Sequence, residues 1–196
     1  MIEKYYSAIV FCAIVLGTPG PAVIALFSSG INYGFYKTLP FFIGILTGFL
    51  LNLTACALLI GSTFYISRIL LFVFKIISLG YIVYISYKIA TSPILLQKSS
   101  ARSLSFFQGF LLDLLNPKAY IASFSSLSVF LIKTEFFISI IIIIVINMVI
   151  SIILQGAWII LGERLGPLFR NSFYNRMINI VLALVMVFVV VASLVR

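Results

Sequence analysis

Apolar residues run in six long blocks, at about 5–27, 39–61, 69–90, 106–131, 136–161 and 176–195, cut by short clusters of charged and turn-forming residues. Each block reaches or exceeds the ~20 residues that an apolar helix needs to cross a bilayer. The pattern therefore predicts an all-α polytopic membrane protein with six transmembrane helices. The breaks fall at 28–38, 62–68, 91–105, 133–135 and 162–175, and the first contains Gly30, Asn32 and Gly34. Six crossings take up roughly 120 positions, leaving too little of the 196 residues for a soluble domain. The expectation is a single membrane domain over 1–196.

Composition sharpens this picture. Charged residues make up 9% of the chain and hydrophobic ones 63%, against about 25% charged in a soluble domain. Mean hydropathy is +1.28. Catalysis in water, a nucleotide-binding domain and a large ectodomain are excluded. There is no histidine, which removes Ser-His catalysis and histidine metal sites, and no P-loop motif is present. Neither a metal nor a cofactor is expected. Cys12 and Cys56 both lie inside apolar runs and read as small packing residues.

The net charge of +9 reads as orientation and contact with lipid headgroups rather than nucleic-acid binding. Gaps one, three and five carry or adjoin Lys37, Lys88, Lys98, Arg102, Arg164, Arg170 and Arg176, whereas the other side has Lys4, Arg68, Lys133 and Arg196. That majority places the three odd gaps in the cytoplasm and both termini outside. The first apolar run, without a small-x-small cleavage site, is read as an uncleaved first span.

Comparison of the two halves adds an internal repeat. Ile24-Ala25-Leu26-Phe27-Ser28-Ser29 matches Ile121-Ala122-Ser123-Phe124-Ser125-Ser126 at five of six positions, and upstream Thr18-Pro19 faces Asn116-Pro117. Three spans per half is an odd number, so the second copy must enter the membrane in the opposite sense. The expected plan is two inverted three-helix repeats, about 1–90 and 106–196, joined by a basic linker at 91–105.

Proline and glycine predict breaks in helices one and four. In Gly17-Thr18-Pro19-Gly20-Pro21 two prolines flank a glycine, removing backbone donors and adding freedom to unwind. Carbonyls freed this way must face protein or water, not lipid. The half-helix starting at Pro21 would aim unpaired N–H groups at a carboxylate; the alternative is a packing kink. The second break is Asn116-Pro117-Lys118, preceded by Asp113. Charges deep in a span are costly unless paired or hydrated. Asp113 and Lys118 either neutralise one another, with Lys118 alternatively snorkelling to an interface, or act on a pathway: Asp113 carrying a proton or meeting an ammonium, Lys118 attracting a carboxylate.

These residues resemble a known family. Thr18-Pro19-Gly20-Pro21, Gly44 and Gly48, Leu79-Gly80-Tyr81, and Gly109-Phe110-Leu111 leading to Leu115-Asn116-Pro117-Lys118-Ala119 look like the LysE/RhtB amino-acid exporters, along the whole chain. The resemblance implies a multi-pass carrier of the cytoplasmic (inner) membrane that expels amino acids or their derivatives in exchange for protons. It also implies that residues around both prolines line the route. Asn52, Gln155, Trp158 and Asn179, polar residues rare in apolar surroundings, are further candidates for the lining. Two departures stand out: Ala22 and Phe49 occupy positions where the family commonly has polar or acidic residues, while Asp113 stands where it more often has a neutral one.

The reading is thus a secondary-active amino-acid exporter whose partners are its substrate, protons and the bilayer. The competing class is a non-transporting membrane scaffold or assembly factor of the same fold. A Ser-Lys dyad of Lys118 with a serine between 123 and 128 is the one enzymatic arrangement the residues allow, and serine in membrane helices is more often a packing residue. Gly44 and Gly48, four apart, permit close helix packing within a subunit or in a homo-oligomer.

Overall fold

The computed structural model describes residues 2–61, 68–91, 104–169 and 171–195. Lys98, Arg102, Arg170 and Arg196, which contribute to the orientation argument, lie outside them. The described residues form eight α-helices: α1 (Ile2–Gly17), α2 (Pro21–Tyr33), α3 (Phe35–Gly61), α4 (Arg68–Ala90), α5 (Phe106–Leu114), α6 (Pro117–Phe130), α7 (Phe136–Leu165) and α8 (Ser172–Val195). No strand occurs among the described residues. The segments Phe35–Ile60 and Phe136–Leu168 are each long and apolar enough to cross a bilayer, and α1 with α2 adds a third if the bent pair is one span.

Local chemistry sets where these helices start and stop. Pro21 and Pro117 each stand at a helix start, where the missing N–H costs nothing and the fixed φ suits the first turn. Ser105 and Gln108 form a capping box, with Ser105 N donating to Gln108 Oε1 at 2.9 Å and Gln108 N donating to Ser105 Oγ at 3.4 Å. The chain bends by 59° between α1 and α2.

The break expected over 28–38 is far shorter than its polar residues suggest. Helix continues to Tyr33 and resumes at Phe35, so only Gly34, at φ 79°, separates α2 from α3. The reason is that Ser28 and Asn32 are buried and bonded rather than solvated: Ser28 Oγ donates to Asn179 Oδ1 at 3.2 Å and Asn32 Nδ2 to the same oxygen at 3.0 Å. Gly34 N donates to Gly30 O at 3.0 Å, and its left-handed backbone closes the turn.

Packing pairs the elements in a regular way. The long helix α3 lies against α5 and α6, and α7 against α1 and α2; α3 touches α7, and α4 packs on α8. Two of these interfaces are backbone to backbone. A Cβ on Gly44 would come within 2.0 Å of Phe106 O and one on Gly109 within 2.1 Å of Phe41 O, so α3 and α5 meet only because both carry glycine. Gly30 against Ile159 O and Gly162 against Phe27 O, each at 2.4 Å, do the same for α2 and α7. The apolar core between these contacts includes Leu26, Phe41, Ile45, Ile85, Leu112 and Ile159.

The long helix α7 is turned outside in. The residues it buries are Ser139, Ile143, Asn147, Ser151, Gln155, Ile159 and Gly162, a single row at near four-residue spacing, while Phe137, Ile141, Val145 and Ile153 are more than half exposed. That is the distribution expected for a helix whose outer solvent is lipid.

Candidate functional site

The two breaks meet. A cavity is lined by Leu16, Gly20, Ala22 and Val23 around the first, by Asp113, Asn116, Lys118, Ala119 and Ala122 around the second, and by Phe49 of α3 and Gln155 of α7. It encloses about 30 Å³, room for roughly two waters at ~10–15 Å³ each. An amino acid does not fit in this space as it stands.

Helix geometry explains the convergence. Each break leaves its preceding carbonyls without i+4 donors, and in apolar surroundings such groups must find others. Around Asn116 the chain supplies its own: Asn116 N donates to Asp113 O at 3.0 Å, and Asn116 Oδ1 accepts from Lys118 N at 3.1 Å as the N-cap of α6. Gly20, at the corresponding position of α2, has no side chain to cap with. Its break borrows a donor from the other one. Lys118 Nζ reaches the Thr18 carbonyl and donates to Thr18 Oγ1 at 2.8 Å, its stem passing over Gly20, where a Cβ would stand only 2.7 Å from Lys118 Cδ.

Asp113 is 2% exposed and does not pair with Lys118, whose ammonium is taken up by Thr18. The side chain of Asn116 is the polar neighbour of its carboxyl, and Asp113 Oδ2 has no hydrogen-bond partner. Gly48 makes room for the residue, since a Cβ there would be 3.2 Å from Asp113 Cβ. Gln155 Oε1 faces the same region, likewise without a partner. An orphaned carboxylate oxygen and an orphaned amide oxygen are acceptors for an ammonium or a proton donor, and both are costly if left unmade.

Of the residues singled out from sequence, Gly20, Asp113, Asn116, Lys118 and Gln155 line the cavity and Thr18 joins it through Lys118. Pro19 is exposed at the bend, and Pro21 is buried at the first turn of α2. Three candidates stand elsewhere. Trp158 packs edge-on against Phe27 at 5.7 Å. Asn179 belongs to an amide cluster with Ser28, Asn32 and Asn175 between α2 and α8. Asn52 is buried on α3 beside Cys56, whose thiol donates to Asn52 Oδ1 at 3.7 Å. The two departures from the resembled family, Ala22 and Phe49, both fall on the cavity wall, so they make the wall more apolar and leave Asp113 as its one carboxylate among the described residues. Sequence reasoning passed over Asn147 and Ser151, although their four-residue spacing with Gln155 was a readable signal, and it took Ser123 only for the repeat and a Ser-Lys dyad.

Among known proteins, residues 13–196 match the model of the family described as LysE type translocator. The chain is similar to the cysteine/O-acetylserine efflux proteins of Escherichia coli, Shigella sonnei and Shigella flexneri, at 31% identity over 172 residues, 87% of this chain and 87% of each relative. No solved structure matches it.

Proposed function

Because this chain belongs to the LysE type translocator family, a membrane translocator rather than an enzyme, we propose that it exports amino acids or their derivatives across the cytoplasmic membrane by exchange for protons. The observation that carries the reading is the cavity between the two breaks, which sets a lone carboxylate with an unpartnered oxygen close to a lone ammonium. Those two charges complement the two ends of a zwitterion. The substrate ammonium takes the Asp113 carboxylate, and its carboxylate takes Lys118 together with the N–H groups at the start of α2, where the helix dipole favours an anion. Among the described residues nothing else charged lines the cavity, which suits a small uncharged side chain. The efflux relatives, named for cysteine and O-acetylserine, are of that kind.

Exchange follows from competition for one group. Asp113 cannot hold a proton and an ammonium ion pair at once, so proton binding from outside expels the substrate, and substrate binding inside expels the proton. Access alternates by parting and closing the half-helices at the breaks. We read the fold as six spans, α1 with α2, α3, α4, α5 with α6, α7 and α8, in two inverted repeats. Exchanging the first three spans for the last three maps the main helix pairings onto themselves: α3 on the broken fourth span becomes α7 on the broken first, and α3–α7 and α4–α8 map onto themselves. Both termini lie outside in this reading.

The test is export of O-acetylserine from vesicles with and without an imposed pH gradient. The expectation is gradient-driven export by the native protein. Asp113→Asn, which keeps size and hydrogen bonding but cannot cycle a proton, is expected to abolish it while the protein still folds and inserts. Normal gradient-driven export by Asp113→Asn refutes the proton role, and no movement of any amino acid by the native protein favours a scaffold.

A further inference from the structure

The cavity is not placed evenly between the two ends of the bundle. Along the buried row of α7, Gln155 marks its level. Towards Leu165 the row continues as Ile159 and Gly162, and Gly162 is pressed on the backbone of α2. With the α3–α5 contact at Gly44, Gly48 and Gly109, that end is sealed by backbone against backbone. Towards Phe136 the row reads Ser151, Asn147, Ile143 and Ser139, three of the four polar. The stretch from Gln155 to Ser139 covers 16 residues, ~24 Å of helix.

Polar residues follow this stretch on the neighbouring helices too. Asn147 Nδ2 donates to Ser126 Oγ of α6 at 3.2 Å, and Cys12 of α1 donates its thiol to Asn147 Oδ1 at 3.5 Å. Ser123, on the same helix as Ser126, is fully buried. At the far end Ser139 Oγ accepts from Ile132 N at 2.9 Å and from Tyr5 OH at 3.4 Å, a closure made of side-chain hydrogen bonds rather than packed backbone.

Helix-to-helix adhesion accounts for Asn147, whose amide is bonded. It does not account for Ser123 Oγ, Ser151 Oγ and Gln155 Oε1, which are buried without any hydrogen-bond partner. A serine that merely packs in a helix satisfies itself on the preceding turn, as Thr47 and Thr54 do at 2.8 Å on α3. Three unpartnered groups in line with the cavity call for a mobile partner.

We propose that Gln155, Ser151 and Asn147 of α7, with Ser123 and Ser126 of α6 and Cys12 of α1, line the half of the translocation route that joins the central cavity to the α1/α6 end of the bundle. This rests on the export reading above. The lining offers hydroxyl, amide and thiol groups and no charge, so it passes a zwitterion with a small uncharged side chain together with water, and it rejects a cationic side chain, which would cross without a counter-charge. With the termini outside, this is the exit half.

Thiol labelling tests the proposal without requiring transport, because a thiol reacts as thiolate and so reacts with a charged, water-soluble reagent only where water reaches it. Native Cys12 is probed in a Cys56→Ala chain. Ser151→Cys and Asn147→Cys are probed with Cys12→Ala and Cys56→Ala, and Val149→Cys and Ile153→Cys, on the outer face of α7, serve as comparisons. All are probed in the full chain in right-side-out vesicles. The row positions are expected to be labelled about tenfold or more faster than the outer-face positions, with labelling slowed by O-acetylserine and not by lysine. Labelling of the row no faster than of the outer face overturns the route, and equal slowing by lysine overturns the charge selectivity. If the row labels as expected while Asp113→Asn exports normally, the proton reading falls and the route stands.

Discussion

The second helix break is finished by its own residues, Asn116 capping α6 and Asn116 N closing on Asp113 O. The first turns Thr18 Oγ1 back onto Val15 O at 2.8 Å but has Gly20 where a side-chain cap would stand, and Lys118 supplies the donor to the Thr18 carbonyl from outside. The difference shows how two similar sequence signals come to depend on each other. A break that satisfies itself is free to carry spare groups, and the second one carries Asp113 with an unpartnered oxygen. A break that cannot satisfy itself must hold a donor from its partner. In the binding mode proposed above, that donor is also the cation that meets the substrate carboxylate, so substrate arrival would release the first break: a carboxylate drawing Lys118 away would leave the Thr18 carbonyl without its donor. Coupling between binding and helix movement is what an alternating-access carrier requires.

The comparison makes unequal predictions for the two breaks. Lys118→Met has the largest effect because it strikes the dependent break and the substrate carboxylate together. Export should fall by tenfold or more, and the Thr18 carbonyl, left without its donor, should lower stability by ~1–3 kcal/mol. A drop in folded yield on heating in detergent and an export assay read the two effects separately, and unchanged export would mean that Lys118 is only a strut.

A smaller effect is expected of Gly20→Ala. The new methyl would stand 2.7 Å from Lys118 Cδ, and because that stem is flexible the lysine swings aside rather than the helix unfolding. The half-saturating substrate concentration should rise several-fold with folded yield nearly unchanged. A collapse in yield would show that the break, not the lysine, is the rigid partner.

The smallest effect belongs to the self-sufficient break. Asn116→Ala removes one cap, worth ~1 kcal/mol, and should lower thermal stability modestly while leaving export above half of native. If it abolishes export, Asn116 contacts the substrate or the Asp113 proton directly and the division between the breaks is wrong.

How much of this was legible in the sequence depends on range. Proline and glycine act on their own turn, so both breaks could be placed from Pro19-Gly20-Pro21 and Asn116-Pro117 alone. Asp113 and Lys118 were visible because a charge inside an apolar run is costly and persists only where it is paired, hydrated or used. What they do was not visible: the two expected alternatives included a mutual ion pair, and the structure instead gives Lys118 to Thr18, 100 residues away. Chain positions so far apart meet through helix packing that no local pattern encodes. The same limit explains Asn179 and Asn32, 147 residues apart, whose bond turns the expected loop over 28–38 into continuous helix up to Gly34. It also explains why Gly30 was read as part of a break, Gly109 only as part of a motif and Gly162 only as the start of a gap: that a glycine in a membrane helix permits a close contact shows only when the backbone it touches is known.

The measurement that bears most directly on the account is a cross-link between the breaks. Thr18→Cys and Lys118→Cys, combined in a chain with Cys12→Ala and Cys56→Ala, are treated in membranes with a short bifunctional thiol reagent, and each monomer is then cut between the two positions. The expected result is that the fragments stay joined, because Thr18 and Lys118 meet across the two breaks. Fragments that separate cleanly after both cysteines have reacted would contradict it, because the two breaks would then not share one site.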